Sequence, residues 1–402
     1  MISIIGGVYN EICMCPNWHE TYGSGGRAAS AIARIGADVT LHSYVDSDSQ
    51  DVISSRSAFE GFKFSPVGIS KATSFSYHHS LENPQIEFGS KNNAPIHINA
   101  DHVIRFGLIE GDSIVTANYA VYDPQSPSKP VAFEANGSKA NHLAVVLNKG
   151  EAEHLCGISG ASPEQLAQSI IDQKKAEVVI IKLGPLGAFV LDSSGGKLIP
   201  AFRTDHVWKI GSGDTFVAIF GYFWMEKNVD PALAAELASK ATAYYCQNMG
   251  FPTESQLANF NPDPIIPSQR YLDGFKPNVY LAGPFFSLAQ LWLIDEAKKN
   301  LKEMGLVVFS PYHDVGKGSA SDVVHQDIAG INNCDIMLAI GDGLDSGTMY
   351  EIGYARAKGK PVILYSENET SDNRKMMEGT NCILCNDYVT SIYKCLWTAV
   401  TL

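Results

Sequence analysis

The chain opens on a short apolar run, Ile2 to Ile5, and then alternates between two hydrophobic rhythms for most of its length. Apolar runs at Ala144 to Leu147 and Val178 to Lys182 read as strands covered on both faces, and Val39 to Tyr44, with polar residues interleaved, also reads as a strand. Between Ile5 and Val39, Arg27 to Ile35 carries alanines and isoleucines at helical spacing and is launched from Gly23-Ser24-Gly25-Gly26. Thr215 to Glu226, TFVAIFGYFWME, is apolar on nearly all sides, which predicts a buried helix. From Leu257 to Pro277 the pattern lapses, and Pro262, Pro264, Pro267 and Pro277 forbid a regular helix or central strand, so a stiff extended connector is expected. The alternation then resumes. Strands are expected at Val279 to Ala282, Val307 to Phe309, Ile336 to Ile340 and Pro361 to Tyr365, and helices at Leu288 to Met304, Ala320 to Asn332 and Thr348 to Lys358. The pattern predicts an α/β protein of two domains, residues 1–258 and 277–402, joined by a proline-rich linker over 259–276, each a mostly parallel sheet covered by helices.

Composition supports that division. A chain of 402 residues exceeds what one hydrophobic core usually serves. Apolar content of 45% with 18% charged residues is ordinary for a globular α/β protein. The formal charge of −13 argues against a nucleic-acid or anionic-membrane partner, since no basic surface would offset phosphate repulsion. The opening run lacks a basic flank and soon meets Glu11, so it reads as a strand rather than a signal peptide. No stretch approaches 18 uninterrupted apolar residues, and a cytoplasmic location is expected. The eight cysteines include Cys13-x-Cys15 and Cys382-x-x-Cys385, but no histidine stands beside either pair at ligand spacing. They are expected to be reduced, structural thiols.

Candidate chemistry is concentrated in two motifs. Ile210-Gly211-Ser212-Gly213-Asp214-Thr215-Phe216 delivers an aspartate through a glycine-rich turn to the start of the apolar helix. Such a turn exposes backbone N–H groups to an anion, with the helix dipole behind them. An aspartate there suits either a general base beside a phosphoryl group or an ordinary helix N-cap. Three further elements accompany it: Gly25-Gly26 before the alanine-rich helix, Asn148-Lys149-Gly150-Glu151, and Lys182-Leu183-Gly184-Pro185-Leu186-Gly187-Ala188. In this order the four resemble the signatures of the ribokinase-like (PfkB) sugar and nucleoside kinases over residues 1 to about 255. The resemblance implies a three-layer α/β/α domain using ATP and Mg²⁺. Asp214 would then be the base toward the acceptor hydroxyl, and Gly211, Ser212 and Gly213 would stabilise the transferred phosphoryl group. Lys182, Gly184 and Gly187 would line the nucleotide side, Asn148 and Glu151 would organise the metal, and Gly25, Gly26 and Glu11 would bind substrate. Three positions depart from the family. Glu11 stands where an aspartate usually grips the sugar, Trp208 replaces an aspartate associated with monovalent-cation binding, and Val45-Asp46-Ser47-Asp48 blurs a glycine-aspartate element.

The second half carries Tyr280-Leu281-Ala282-Gly283-Pro284-Phe285-Phe286, then Asp327-Ile328-Ala329-Gly330-Ile331 with Cys334-Asp335, then Asp345-Ser346-Gly347-Thr348-Met349-Tyr350-Glu351-Ile352-Gly353-Tyr354-Ala355. Breaking an N-glycosidic bond builds positive charge on the anomeric carbon, which a carboxylate on one face can trap while an acid assists the departing base. Taken singly, Glu351 could be a solvated helix residue and Asp345 an N-cap. Together the three elements resemble the nucleoside 2-deoxyribosyltransferase family. That likeness implies a smaller Rossmann-like (flavodoxin-like) parallel sheet, with Glu351 as nucleophile and Asp327 and Asp345 at the nucleobase. Tyr280, Gly283 and Thr348 would lie around the substrate, and a homo-oligomer is implied. The substrates expected are small: a nucleoside, nucleotide or sugar. Two alternatives stay open at this level. The first half could be a degenerate kinase that senses nucleotide and gates a glycosidase, or the second could be a phosphoribohydrolase, although such enzymes present Pro-Gly-Gly where this chain has Gly343-Leu344-Asp345.

Overall fold

Parallel strands cannot be joined by tight turns, so apolar runs separated by helical stretches can bury both faces of a sheet by crossing over it. The computed structural model describes residues 1–126, 129–174 and 176–402, which form two units, Met1–Pro264 and Ile265–Leu402.

In the first unit the strands and helices run β1 (Ile2–Ile5), β2 (Asn10–Cys15), β3 (Trp18–Thr21), α1 (Gly23–Ile35), β4 (Val39–Val45), α2 (Ser47–Glu60), β5 (Lys63–Gly68), β6 (Ser74–His79), β7 (Gln85–Glu87), β8 (Ile96–Phe106), β9 (Ser113–Asp123), β10 (Lys139–Asn148), α3 (Lys149–Cys156), α4 (Pro163–Lys174), β11 (Val178–Lys182), β12 (Ala188–Asp192), β13 (Gly195–Ile199), α5 (Ser212–Gly221), α6 (Pro231–Asn248) and α7 (Glu254–Asn259). The main sheet has nine strands in the order β13-β12-β11-β10-β9-β8-β1-β4-β5, parallel from β11 to β5 and antiparallel at the β12–β13 edge. Alternate residues serve opposite faces, as the two-residue period of a strand requires. Ile4, Val146 and Ile180 join the core under α1, α5 and α6, whereas Ile5, Val145 and Ile181 join the core against α3 and α4. This is the three-layer α/β/α arrangement expected from the sequence. Helix α5 is buried along its length, as its all-round apolar pattern predicts, and ends in a wider π-type turn over Tyr222–Glu226.

A separate four-stranded sheet, β3-β2-β6-β7, was not legible in the sequence. Its strands are short and half exposed, so they lack the long apolar runs that mark the main sheet.

In the second unit α8 (Gln269–Leu272) is followed by β14 (Asn278–Ala282), α9 (Leu288–Glu303), β15 (Val307–Phe309), α10 (Ala320–Asn333), β16 (Ile336–Ile340), α11 (Ser346–Ala357), β17 (Val362–Tyr365), α12 (Ser371–Gly379), β18 (Ile383–Cys385) and α13 (Tyr388–Val400). All five strands are parallel, in the order β15-β14-β16-β17-β18. Counted within the unit this is 2-1-3-4-5, the flavodoxin-like order, whose direction reverses between β14 and β16. The proline-rich stretch is more structured than a plain extended connector. Pro264 bridges to Phe202 in the first unit, and one helical turn, α8, forms between Pro267 and Pro277 with Ser268 as its cap. Among the described residues no helix is long and apolar enough to cross a membrane.

Candidate active sites

In open parallel sheets ligands gather outside the carboxyl ends of the strands, above all where the strand order reverses. The first unit reverses between β1 and β8. Its carboxyl edge presents Gly6 to Tyr9 after β1, Gly107 to Glu110 after β8, Asp123 at the end of β9, Asn148 at the end of β10 and Lys182 at the end of β11. Close backbone approach explains some of the glycines here. A Cβ on Gly25 would lie 2.6 Å from the Gly6 carbonyl oxygen, so a glycine is needed for α1 to start hard against β1. A Cβ on Gly26 would meet nothing nearer than the Ile53 methyl at 3.6 Å, so its smallness is not demanded by packing.

Asp214 lies in the first turn of α5, behind Gly211, whose φ of 79° is left-handed. The Arg27 guanidinium packs directly on Gly211, where a side chain would collide with it. Arg27 is almost fully buried, and its Nη1 donates to Asp214 Oδ2 at 2.9 Å. The same guanidinium ion-pairs with Glu11 and donates from Nε to the Tyr245 hydroxyl at 3.1 Å. Tyr245 in turn donates to the Ile210 carbonyl at 2.8 Å, which ties the glycine turn to α6. The other oxygen of Asp214 accepts from Gln125 Nε2 at 2.7 Å, and Gln125 itself holds a left-handed φ of 45°. Burial raises the pKa of Glu11 despite the opposing pull of Arg27.

Lys182 reaches the same turn from β11. A Cβ on Gly213 would stand 3.7 Å from its Nζ, and that ammonium donates to Asp123 Oδ2 at 2.6 Å. Asp123 is buried, and its carboxyl is pushed up to about 6 by burial against the pull of Lys182, with Glu151 adding repulsion. Asn148 and Glu151 form a reciprocal capping box at the start of α3, Asn148 N donating to Glu151 and Glu151 N donating to Asn148 at 2.8 and 2.9 Å. Gly184 and Gly187 shape the turn between β11 and β12; Gly187 has a φ of 97° and no room for a Cβ beside Ile199 O. Trp208 packs with Cys13, Ile210 and Tyr245 in an apolar cluster, its ring 5.0 Å from that of Trp18. Asp46 is a helix cap: Oδ1 accepts from Ser49 N and Oδ2 from Ala72 N. The structure thus brings together Glu11, Gly25, Gly211, Ser212, Gly213, Asp214 and Lys182. Arg27, Gln125 and Asp123 complete the cluster and had no role in the sequence reading. An arginine inside an alanine-rich apolar helix, and an Asp-Pro pair closing a strand, were the available signals.

In the second unit, Tyr280 projects from β14 at the reversal point and donates to Glu351 Oε1 at 2.6 Å. Glu351 lies in the second turn of α11, which starts at Ser346, two residues earlier than the sequence pattern suggests. Burial pushes its carboxyl up to about 7, with Tyr280 pulling it down and Asp327 and Asp345 adding repulsion. Tyr280 is itself buried, stacked on Phe309, and its hydroxyl holds its proton more tightly than usual through burial and the neighbouring carboxylate. Asp327, on α10, is raised by burial, and its Oδ1 is buried with no hydrogen-bond partner among the described residues. Asp345 caps α11, its Oδ2 accepting from Thr348 N at 2.9 Å and Thr348 Oγ1 at 3.0 Å. Gly343 and Leu344, both at positive φ, turn the chain into that cap. Thr348 is buried with its hydroxyl committed to Asp345, and Gly283 has no room for a side chain because Ile294 and Ile340 press on it. These two residues build the site's walls.

Comparison with known proteins gives one family match in each unit. Residues 117–255 match the family described as pfkB family carbohydrate kinase, and residues 279–382 match the family described as nucleoside 2-deoxyribosyltransferase. The chain therefore joins a PfkB-type kinase domain to a nucleoside 2-deoxyribosyltransferase-type domain. It is 38% identical to the aminoimidazole riboside kinase of Salmonella typhimurium over 96 residues, which span 24% of this chain and 30% of that protein. Among solved structures it is similar to phosphofructokinase-2 from Escherichia coli in complex with potassium, at 15% identity and a TM-score of 0.49, covering 64% of this chain and 97% of that one. It is likewise similar to ribokinase from Thermotoga maritima, at 16% identity and a TM-score of 0.48, covering 65% and 98%.

Proposed function

We propose that the chain is a bifunctional enzyme of nucleoside and sugar metabolism. Its second unit cleaves or transfers the N-glycosidic bond of a (deoxy)nucleoside or nucleotide, and its first unit moves a phosphoryl group from ATP to a sugar or nucleoside hydroxyl. The observation that supports this most is the Tyr280–Glu351 pair at the β14/β16 reversal. A desolvated carboxylate with one oxygen fixed by a buried tyrosine is oriented for attack, and it is a stronger nucleophile than a solvated one. Glu351 adds to the anomeric carbon, the C–N bond breaks, and its electron pair leaves with the base. Asp327, whose carboxyl is raised by burial, supplies the proton that the departing nitrogen needs. Water or a second base then attacks the glycosyl ester and releases Glu351.

In the first unit Asp214 takes the proton of the acceptor hydroxyl, and the amides of Gly211 to Gly213 with Lys182 face the transferred phosphoryl group. Among the described residues no three His, Cys, Asp or Glu side chains converge as a metal cage. Magnesium would be held by Asn148 and Glu151 together with the phosphates, where it would offset phosphate charge. A second reading draws on the two hydrogen bonds that occupy both Asp214 oxygens. In it the first unit binds nucleotide without turnover and regulates the glycosidase.

The test is a panel of nucleosides, nucleotides and sugars incubated with the whole protein, with and without ATP–Mg²⁺, products being identified by mass spectrometry. Base release that disappears in Glu351→Ala, with a sugar adduct on the peptide carrying Glu351 in wild type, is expected. Undiminished release by Glu351→Ala would overturn the mechanism. ATP that changes base release without itself being consumed would favour the second reading.

A further inference from the structure

Both oxygens of Asp214 accept a hydrogen bond from the chain itself, and the two donors are unlike. On Oδ2 stands Arg27 Nη1 at 2.9 Å. Arg27 is 1% exposed, and its guanidinium also serves Glu11, the Gly23 carbonyl and the Tyr245 hydroxyl. Withdrawing it would leave the buried Glu11 without its counter-charge, so Oδ2 is committed. On Oδ1 stands Gln125 Nε2 at 2.7 Å. Gln125 is half-buried, and among the described residues this is the only hydrogen bond its side chain makes. Its backbone is fixed separately. With φ at 45°, its N–H donates to Asp123 Oδ1 at 3.2 Å, and Asp123 Oδ2 takes the Lys182 ammonium at 2.6 Å. Rotation of the Gln125 side chain between its staggered states therefore opens the contact while the backbone stays in place.

A carboxylate that takes the proton of a hydroxyl must first receive that hydroxyl as a hydrogen-bond donor. With Oδ2 committed, Oδ1 is the oxygen that can do so, and the Gln125 amide holds the position the hydroxyl needs. We propose that Gln125 is a latch on the base: it caps Asp214 Oδ1, yields that place to the acceptor hydroxyl, and so keeps Asp214 from activating water against ATP. This rests on the phosphoryl-transfer reading of Asp214 and adds a positioning residue to it. Water and an acceptor hydroxyl would follow the same course. The oxygen bonds to the γ-phosphorus, the bond to the ADP oxygen breaks with its electron pair leaving on ADP, and the proton passes to Oδ1. The two differ in what they bring against the amide. Water offers one hydrogen bond, whereas an acceptor also brings its remaining contacts with the site, and these offset the loss of a hydrogen bond to a charged oxygen. The latch thus sorts acceptor from water by binding energy.

The test uses the full-length protein with ATP–Mg²⁺ and no acceptor, following release of inorganic phosphate by wild type, Gln125→Ala, Gln125→Leu and Gln125→Ala combined with Asp214→Asn. Both single variants should hydrolyse ATP about tenfold faster than wild type, as for removal of one hydrogen bond to a charged group, and the double variant should lose the gain. Leucine keeps most of the side chain's bulk and removes the donor, so a gain shared by both variants follows the hydrogen bond and not the space. With an acceptor drawn from the sugar and nucleoside panel, KM for that acceptor should fall about tenfold in both, with kcat changing by less. Hydrolysis that stays at the wild-type rate or falls in both single variants, with ATP still bound, overturns the latch; phosphorylation of an acceptor by wild type would then leave Asp214 standing as the base. A gain that survives Asp214→Asn also overturns the latch. If wild type and variants bind ATP but neither hydrolyse nor transfer it, the phosphoryl-transfer reading fails and the latch with it.

Discussion

A carboxyl that titrates near 7 in the folded chain and near 4.3 in an unfolded one leaves a signature in stability as well as rate. Because the folded value of Glu351 is raised, the fold favours its protonated form. That contribution is fully present below about pH 4.3 and is lost as pH rises through about 7. Glu351→Gln is therefore expected to melt higher than wild type at pH 8, by on the order of 1–3 kcal/mol, and to match it near pH 4.5. Thermal denaturation at the two pH values checks this; an advantage larger at low pH would contradict it. For catalysis the sign is opposite, since attack needs the ionised form, so kcat/KM should rise with pH through about 7. Tyr280→Phe removes the donor that pulls Glu351 down and should move this limb to higher pH, besides slowing base release. At the other site, Asp214→Asn should cost about 10²–10⁴ in phosphoryl transfer while leaving ATP binding largely intact, as measured by single-turnover kinetics and titration. Transfer at the wild-type rate by Asp214→Asn would remove it from the role of base.

At the scale of elements, the junction of β1 with α1 separates two glycines that read alike in the sequence. Gly25→Ala forces a methyl onto the Gly6 backbone and should destabilise the first unit by about 2 kcal/mol or more. Gly26→Ala meets only ordinary contacts inside a helix and should be neutral or up to about 1 kcal/mol stabilising. Chemical denaturation of the two variants tests the contrast, and equal effects would show that the close approach of α1 to β1 has been misjudged. Arg27 depends on the same junction. It is held by α1, β2, α5 and α6 at once, so removing its charge would strand the buried Glu11 and the half-buried Asp214.

At the scale of the molecule, each unit has its own sheet and its own core, which argues for independent folding. Fragments 1–264 and 265–402 are each expected to be soluble with their own cooperative transition, read by circular dichroism and calorimetry. Failure of both to fold alone would show that the division at residue 264 does not mark separate folding units. The proline-rich stretch sets that division less sharply than composition suggests, because Pro264 pairs with Phe202 while Ser268 N donates to the Val400 carbonyl.

The sequence by itself determined the alternation of strands and helices, the two-domain order, and the catalytic candidates carried by glycine turns and short spacings. These are local properties: an apolar run, a left-handed turn and a capped helix start are written in neighbouring residues. Asp214, Glu351 and Tyr280 were legible because each sits at a fixed offset within such a stretch. The tertiary structure decided which distant groups meet them. Arg27 on Asp214, Gln125 across from it and Asp123 on Lys182 depend on strand order, which no stretch of sequence states. Burial decided the rest: Glu351 is shifted to about 7 because packing keeps water from it, and that packing is a property of the whole second unit.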